Sequence, residues 1–398
     1  LKKGVDPKMD EERLLSEVRE SEVVKYCRDL VRIRTVNPPG DEIKAAEYVA
    51  STLKQAGLDA ELVEHTPNRA SMVARLKGSG RKPALLYNGH LDTVPVGSEK
   101  WDHEPFGGEI ADGKIWGRGA SDMKGGLAAM MAGMKAVARA KAPLQGDLIF
   151  AATAGEEVDS LGATSVAAIP GLGPLQAIVI SEPSSNEMFV AEKGAFWLEL
   201  TTHGRTAHGS MPEQGRNAIL MMMKLLEELE KQTIPFQEHP LVGGFTRSVN
   251  TIAGGVKTNV VPDSCVATID MRTVPGQDHR AIRKQVEDLI AELGRRIPDF
   301  KVTLKVTNDR PPLETSTAEP AVQKFMEVLS RIRGATPVPK GVAYFSDAVV
   351  FVPALGAPMI LCGPGEARLA HQPNEYVEIS SLVQSAKIFA LAAARLLQ

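Results

Sequence analysis

The sequence predicts an α/β protein: a mostly parallel sheet flanked by helices, with a ferredoxin-like α+β domain inserted into it. Three observations carry that prediction. Short apolar runs alternate with helical patterns through residues 1–193 and again through 308–398. Between them, residues 194–307 read strand, helix, strand, strand, helix, strand. At 398 residues the chain is also too long for one ordinary core, which favours two domains.

In chain order, residues 10–34 carry apolar positions at helical spacing (Leu14, Val18, Val23, Val24, Cys27, Leu30, Val31), stopped by Asn37-Pro38-Pro39-Gly40. A second amphipathic helix runs from about Ile43 to Gln55, with Gly57 as its C-cap. Strands follow at 58–63, 71–76, 84–87, 147–152 and 177–181, with an Ala/Met-rich helix over 125–142. The inserted domain comprises strands 195–202, 248–254, 265–272 and 301–306, and helices 217–231 and 279–293. Asn308-Asp309-Arg310-Pro311-Pro312 closes it. The first pattern then resumes with a helix over 321–333, a strand over 358–361 and a last helix over 380–397.

Composition narrows the function. Apolar content of 43% and charged content of 24% are those of a soluble globular protein. A net charge of −3 gives no reason to expect nucleic acid or a membrane surface as partner. Three cysteines, Cys27, Cys265 and Cys362, form no CxxC pair, so a reducing, cytoplasmic setting is expected. The opening LKKGVDPKMDEERLL is polar and lacks an apolar signal core, although residue 1 is not Met. No apolar run is read as long enough to span a membrane.

The chemistry concentrates at predicted strand ends, where ligands of parallel sheets bind. His90 and Asp92 lie two positions apart, so in an extended segment they project together. A metal-ligating imidazole needs its other nitrogen held, usually by a carboxylate, which Asp92 could supply; a polar pair at a strand end is the plainer alternative. Asp122 sits between Gly117-Arg118-Gly119 and Lys124-Gly125-Gly126, a ligand or a helix cap. Glu156 and Glu157 are adjacent, so their side chains diverge and can take two roles, or form a solvated turn. Glu182 follows a strand and is fixed by Pro183. His371 lies in LAHQPNE, and His208 on a Gly/Ser loop of the inserted domain. His65, His103, His203, His239 and His279 read as surface or turn residues. Two histidines and three carboxylates match a two-metal hydrolytic site. Mixed N/O ligation suits zinc, with cobalt or manganese as alternatives. Metal binding lowers the pKa of a bound water to about 7. A free glutamate beside it can shuttle protons.

GHLDTVP (89–95), GRGASDMKGG (117–126), TAGEEVDSLGA (153–163), SEP (181–183), GRTAHGSMP (204–212), NVVPD with DMR (259–263, 270–272) and GPGEARLAHQPNE (363–375) occur in that order. Together they resemble the dinuclear-zinc deacylases and exopeptidases typified by acetylornithine deacetylase, succinyl-diaminopimelate desuccinylase, aminoacylase and the glutamate carboxypeptidases. The resemblance implies two Zn(2+) per subunit. His90 and Glu182 would bind one metal and Glu157 and His371 the other, with Asp122 bridging. Asp92 would orient His90, and Glu156 would act as general acid/base. His208 would stabilise the oxyanion, and Asn259 and Arg272 would grip a substrate carboxylate. It implies a cis peptide after Asp122, a metallopeptidase catalytic domain, and a lid that also forms a homodimer. The expected reaction is hydrolysis of an N-acyl-L-amino acid. A dipeptidase or carboxypeptidase, and an inactive metal-binding scaffold, are the competing readings. One departure stands out. Tyr344 and Phe345 in AYFSDAVVF replace glycines common in relatives, at a segment that borders the substrate pocket in the family. Residues 97–117, rich in Trp and Gly, have no role assigned from sequence.

Overall fold

The computed structural model describes residues 10–398. The chain divides into two compact units. The first gathers residues up to 190, 315–340 and 346–398; the second holds 191–314 and 341–345.

In the first unit, four strands are parallel neighbours: Leu148–Thr153, Ala84–His90, Leu175–Ile180 and Met359–Leu361. Ala84–His90 is buried at every position, and its apolar start, Ala84–Tyr87, suits a strand covered on both faces. The edge is antiparallel, made by the hairpin Asp59–Thr66 and Arg69–Leu76, which joins the sheet through Leu148–Thr153. The helix Gly125–Ala140 packs against the long last helix, Ile379–Leu396. Its second residue must be glycine. A Cβ on Gly126 would lie 2.4 Å from Ser181 Oγ and 2.5 Å from Ser181 O.

Two expectations are revised in this unit, and one region without an expectation is filled in. The helical repeat over 10–34 is two helices, Glu11–Ser16 and Glu20–Arg32, separated at Glu17–Arg19. The last helix is long and apolar enough to cross a membrane, contrary to the sequence estimate, yet most of it is buried against protein. Residues 109–111 and 114–116, for which no strand was expected, pair with each other, and 114–116 also pairs with Tyr376–Glu378 to complete a separate small sheet. Three-residue strands carry too little periodicity to be read from sequence.

The second unit contains a four-stranded antiparallel sheet in the order Thr246–Gly254, Ser264–Thr273, Gly194–His203, Lys301–Arg310. The helices Ala218–Lys231 and His279–Arg296 share its core, and Asn217 and Asp278 cap their N-termini with side-chain oxygens. This is the strand order of a ferredoxin-like unit. His279 is buried rather than a surface residue, bonded to Thr273 and Asp309.

Candidate metal centre

Parallel pairing brings the chemistry to one edge. His90 is opposite Thr153, and Asn88 opposite Ile180, on the two strands that flank it. The chain beyond Thr153 therefore delivers Glu156 and Glu157 on one side of His90. The chain beyond Ile180 delivers Glu182 on the other. Asp122 arrives in the turn Ala120–Lys124, where Asp122 (φ −121°, ψ 92°) and Met123 leave helical geometry. The Asp122–Met123 peptide bond is cis.

Five side chains close into two trios that share one carboxylate: His90, Asp122 and Glu182, and Asp122, Glu157 and His371. His90 Nε2 lies 3.1 Å from Asp122 Oδ1 and 4.0 Å from Glu182 Oε1. His371 Nε2 lies 3.5 Å from Asp122 Oδ2 and 3.1 Å from Glu157 Oε2. Each Asp122 oxygen thus faces a different histidine. Donor atoms at the corners of a tetrahedron around zinc stand about 3.3 Å apart, so the spacing suits a cation in each trio. Glu157 Oε1 is also buried without a hydrogen-bond partner, a cost that a cation would relieve. The donor set, two imidazoles and three carboxylates, fits divalent metal ions.

The electrostatics agree. Burial pushes the Glu156 and Glu182 carboxyls well above their usual range, and neighbouring carboxylates add to it. Burial likewise raises Glu157. Burial works against a charged His90, but Asp122, Glu182 and Glu156 outweigh it and hold the ring well above its ordinary value. His371, 52% exposed at its side chain, is raised chiefly by its bond to Glu157. So many acids around two imidazoles call for added positive charge. Glu156 belongs to neither trio and is buried beside them.

Asp92 serves the site in two ways. The shortest contact of His90 Nδ1 is to the main-chain oxygen of Asp92, at 2.9 Å, with Asp92 Oδ1 at 3.6 Å. The carboxylate itself accepts from the N–H groups of Gly155, Glu156 and Glu157 and from Asn37. It therefore positions the double-glutamate turn as well as flanking the imidazole.

Three further residues serve the centre without having been singled out from sequence. Arg118 and Glu375 form a buried ion pair at 2.7 Å beneath the Asp122 turn. Burial pushes the Glu375 carboxyl up to about 7. Asp347, buried in the AYFSDAVVF segment, accepts from Thr153 Oγ1 at 2.6 Å and adds negative charge at Glu156 and Glu182. For Arg118 and Glu375 the available signal was a charged residue inside a glycine string or next to a histidine motif.

In the second unit, His208 and Asn259 are exposed and lie on paired segments: His208 bridges to Val260, and Gly209 N donates to Asn259 O at 2.8 Å. His208 Nδ1 contacts Ser210 Oγ at 2.7 Å. Arg272 stands on Ser264–Thr273 with its Nε on Asp270.

A mostly parallel α/β sheet whose carboxyl edge gathers two carboxylate-sharing trios is the arrangement of a metal-dependent hydrolase. The chain belongs to peptidase family M20/M25/M40, whose profile matches residues 86–395. It is 29% identical over 386 residues to a probable succinyl-diaminopimelate desuccinylase of Staphylococcus epidermidis, covering 90% of this chain and 93% of that one. It is 30% identical over 358 residues to an acetylornithine deacetylase of Myxococcus xanthus, covering 87% and 90%. The fold matches that of an M20 family metallo-carboxypeptidase from Sulfolobus solfataricus, with a TM-score of 0.78, 20% identity, and coverage of 94% and 99%.

Proposed function

We propose that the protein hydrolyses the amide bond of an N-acyl-L-amino acid, with two zinc ions held by the two trios. The observation that carries the reading is the pair of trios joined through Asp122, with the buried Glu156 beside them and outside both. The likeness to proteins named as a desuccinylase and a deacetylase supports an acylated amino acid over a longer peptide.

When bound, the cations polarise the scissile carbonyl and acidify a water. The rest falls to the chain's own groups. Glu156, kept basic enough by burial, takes a proton from the attacking water and passes it to the departing nitrogen. Asp92 keeps the Glu156 and Glu157 N–H groups in place, so the proton carrier and a ligand are set by one carboxylate. His208 stabilises the charge developing on the carbonyl oxygen, and Asn259 and Arg272 hold the substrate's carboxylate.

The second unit forms a homodimer in this reading. Its edge strand Thr246–Gly254 is exposed, with Ile252 54% exposed. The helix Ala218–Lys231 shows Leu220 at 60% and Met223 at 57%. Both are features of a surface that pairs with another chain. Cys27, Cys265 and Cys362 are buried free thiols, the state that a cytoplasmic setting maintains.

The test is a screen of zinc- and cobalt-loaded protein against N-acetyl amino acids, N-succinyl amino acids and dipeptides, with light scattering for the oligomer. Release of acetate or succinate supports the reading. Turnover of dipeptides alone replaces it with a peptidase, and no turnover of any class with both ions bound overturns catalysis.

A further inference from the structure

We propose that Arg118 and Glu375 form a buried positioning pair that holds the metal-binding loops in register, acting most strongly on the trio Asp122, Glu157 and His371. The inference rests on the metal-centre reading above.

Glu375 accepts four donors. Its Oε1 takes the N–H groups of Ser121 at 2.8 Å and Asp122 at 2.9 Å. Its Oε2 takes Gly119 N at 2.9 Å and Arg118 Nη1 at 2.7 Å. The turn that carries Asp122 is thus hung from one carboxylate. Arg118 turns the same anchor outward. Its Nη1 donates to Gln372 O at 3.2 Å, and its Nη2 to Pro95 O at 3.3 Å and His371 O at 3.4 Å. Pro95 follows the segment of His90 and Asp92. One fork therefore ties three loops together.

The loop of His371 depends on it most. His371 (φ 63°) and Asn374 (φ 56°) are both left-handed without being glycine, a conformation that costs on the order of 1–3 kcal/mol each. His371 is also half-exposed and lies outside any strand or helix. Something must hold such a loop, and the contacts at hand are those of Arg118 and of residues 97–117. Trp101 stacks over the Arg118 guanidinium at 5.1 Å. Asp102 and Asn374 exchange two hydrogen bonds, at 2.7 and 2.9 Å. Arg118 N donates to Pro105 O, and Gly117 N to Glu375 O. The Trp- and Gly-rich excursion thereby acquires a purpose: it straps the His371 loop and covers the buried cation. His90 and Glu182, by contrast, sit at the ends of core strands that the sheet itself fixes.

The experiment is a cobalt(II) titration of metal-free protein, followed by calorimetry and visible absorption. Wild type is compared with Arg118→Met, Arg118→Lys and Glu375→Gln. In Glu375→Gln an amide NH2 replaces one oxygen and faces donors. Wild type is expected to bind two ions per chain. Arg118→Met and Glu375→Gln are expected to keep one ion near wild-type affinity, lose about 10–100-fold at the other, and show an altered cobalt spectrum for the weakened site. Arg118→Lys, which keeps the charge but not the fork, should recover part of the loss. Wild-type affinities within about twofold at both sites, with an unchanged spectrum in Arg118→Met, overturn the proposal even if that variant melts earlier, because a mere brace predicts that result. If Arg118→Met does not fold, Arg118→Lys is read by the same criterion. Fewer than two ions in wild type overturns the metal-centre reading itself, and this inference with it.

Discussion

Replacing Asp92 by asparagine removes one negative charge and almost no volume, so its effect follows from hydrogen bonds. Asp92 Oδ1 accepts Gly155 N at 3.0 Å and Glu156 N at 3.1 Å; Oδ2 accepts Glu157 N at 3.2 Å and Asn37 Nδ2 at 2.9 Å. The better orientation of the new amide points its oxygen at Gly155 and Glu156 and its NH2 at the other two. Asn37 can turn its own amide over and accept. The Glu157 main-chain N–H cannot. One buried donor is then orphaned, costing about 1–3 kcal/mol, and three bonds lose their charge assistance. Relief of a buried charge offsets part of this, so the net is about 3 kcal/mol. Asp92→Asn should lower the melting midpoint by roughly 5 °C. The orphaned group is the backbone of a ligand, so affinity for one of the two metals should fall about 10–100-fold. Differential scanning calorimetry and zinc titration read both numbers. A midpoint within about 1 °C of wild type, with both ions bound as before, would refute the assignment of Asp92 as organiser of the double-glutamate turn.

Three further outcomes are expected. Glu156→Gln should retain both metals while kcat drops about 10²–10⁴-fold; full turnover with metal bound removes Glu156 from the chemistry. Gly126→Ala should destabilise by about 1–3 kcal/mol through contact with the Ser181 backbone and weaken metal at the adjoining Glu182; a melt and titration indistinguishable from wild type would show that the helix has room to move. The last concerns pH in the metal-free protein. Burial raises Glu156, Glu157, Glu182 and Glu375, the last to about 7, while carboxylate neighbours raise His371 and, against burial, His90. The folded state then holds protons that the unfolded chain has released, so these groups make stability fall as pH rises from about 4.5 through 7; Lys124, pushed down to about 7 by burial, opposes them above that as a single group. Chelator-treated protein should melt higher at about pH 6 than at about pH 8, and metal affinity should rise over the same span as ions replace protons. A midpoint that rises with pH would contradict it.

The ligand-bearing motifs were legible because each is a local event. A strand ends, a glycine or proline breaks the chain, and a carboxylate or imidazole is left at the break; GHLDTVP and TAGEEVDS carry all of that in a few residues. The ferredoxin-like order was legible for a similar reason, since its strands alternate and its helices are amphipathic with capped ends. The length of the first helix was not. Nothing in the apolar repeat marks the interruption at Glu17–Arg19. Residues 97–117 defeated sequence reading because their partners include Asn374, Glu375 and Tyr376, more than 250 positions away.

By itself, then, the sequence determined which residues could bind metal and that they would cluster at strand ends, because strand periodicity and chain breaks are short-range properties. Only the tertiary structure decided how they are shared. Parallel register set His90 between the two acidic turns, and the Asp122 turn gave one carboxylate oxygen to each histidine. Asp92 turned out to serve the glutamate turn through its carboxylate as well as His90 through its carbonyl. Arg118 and Glu375 emerged as a pair only once distant loops met around them. Long-range contacts choose among the partners that a short motif leaves open, and a buried charge takes whichever partner the fold brings within reach.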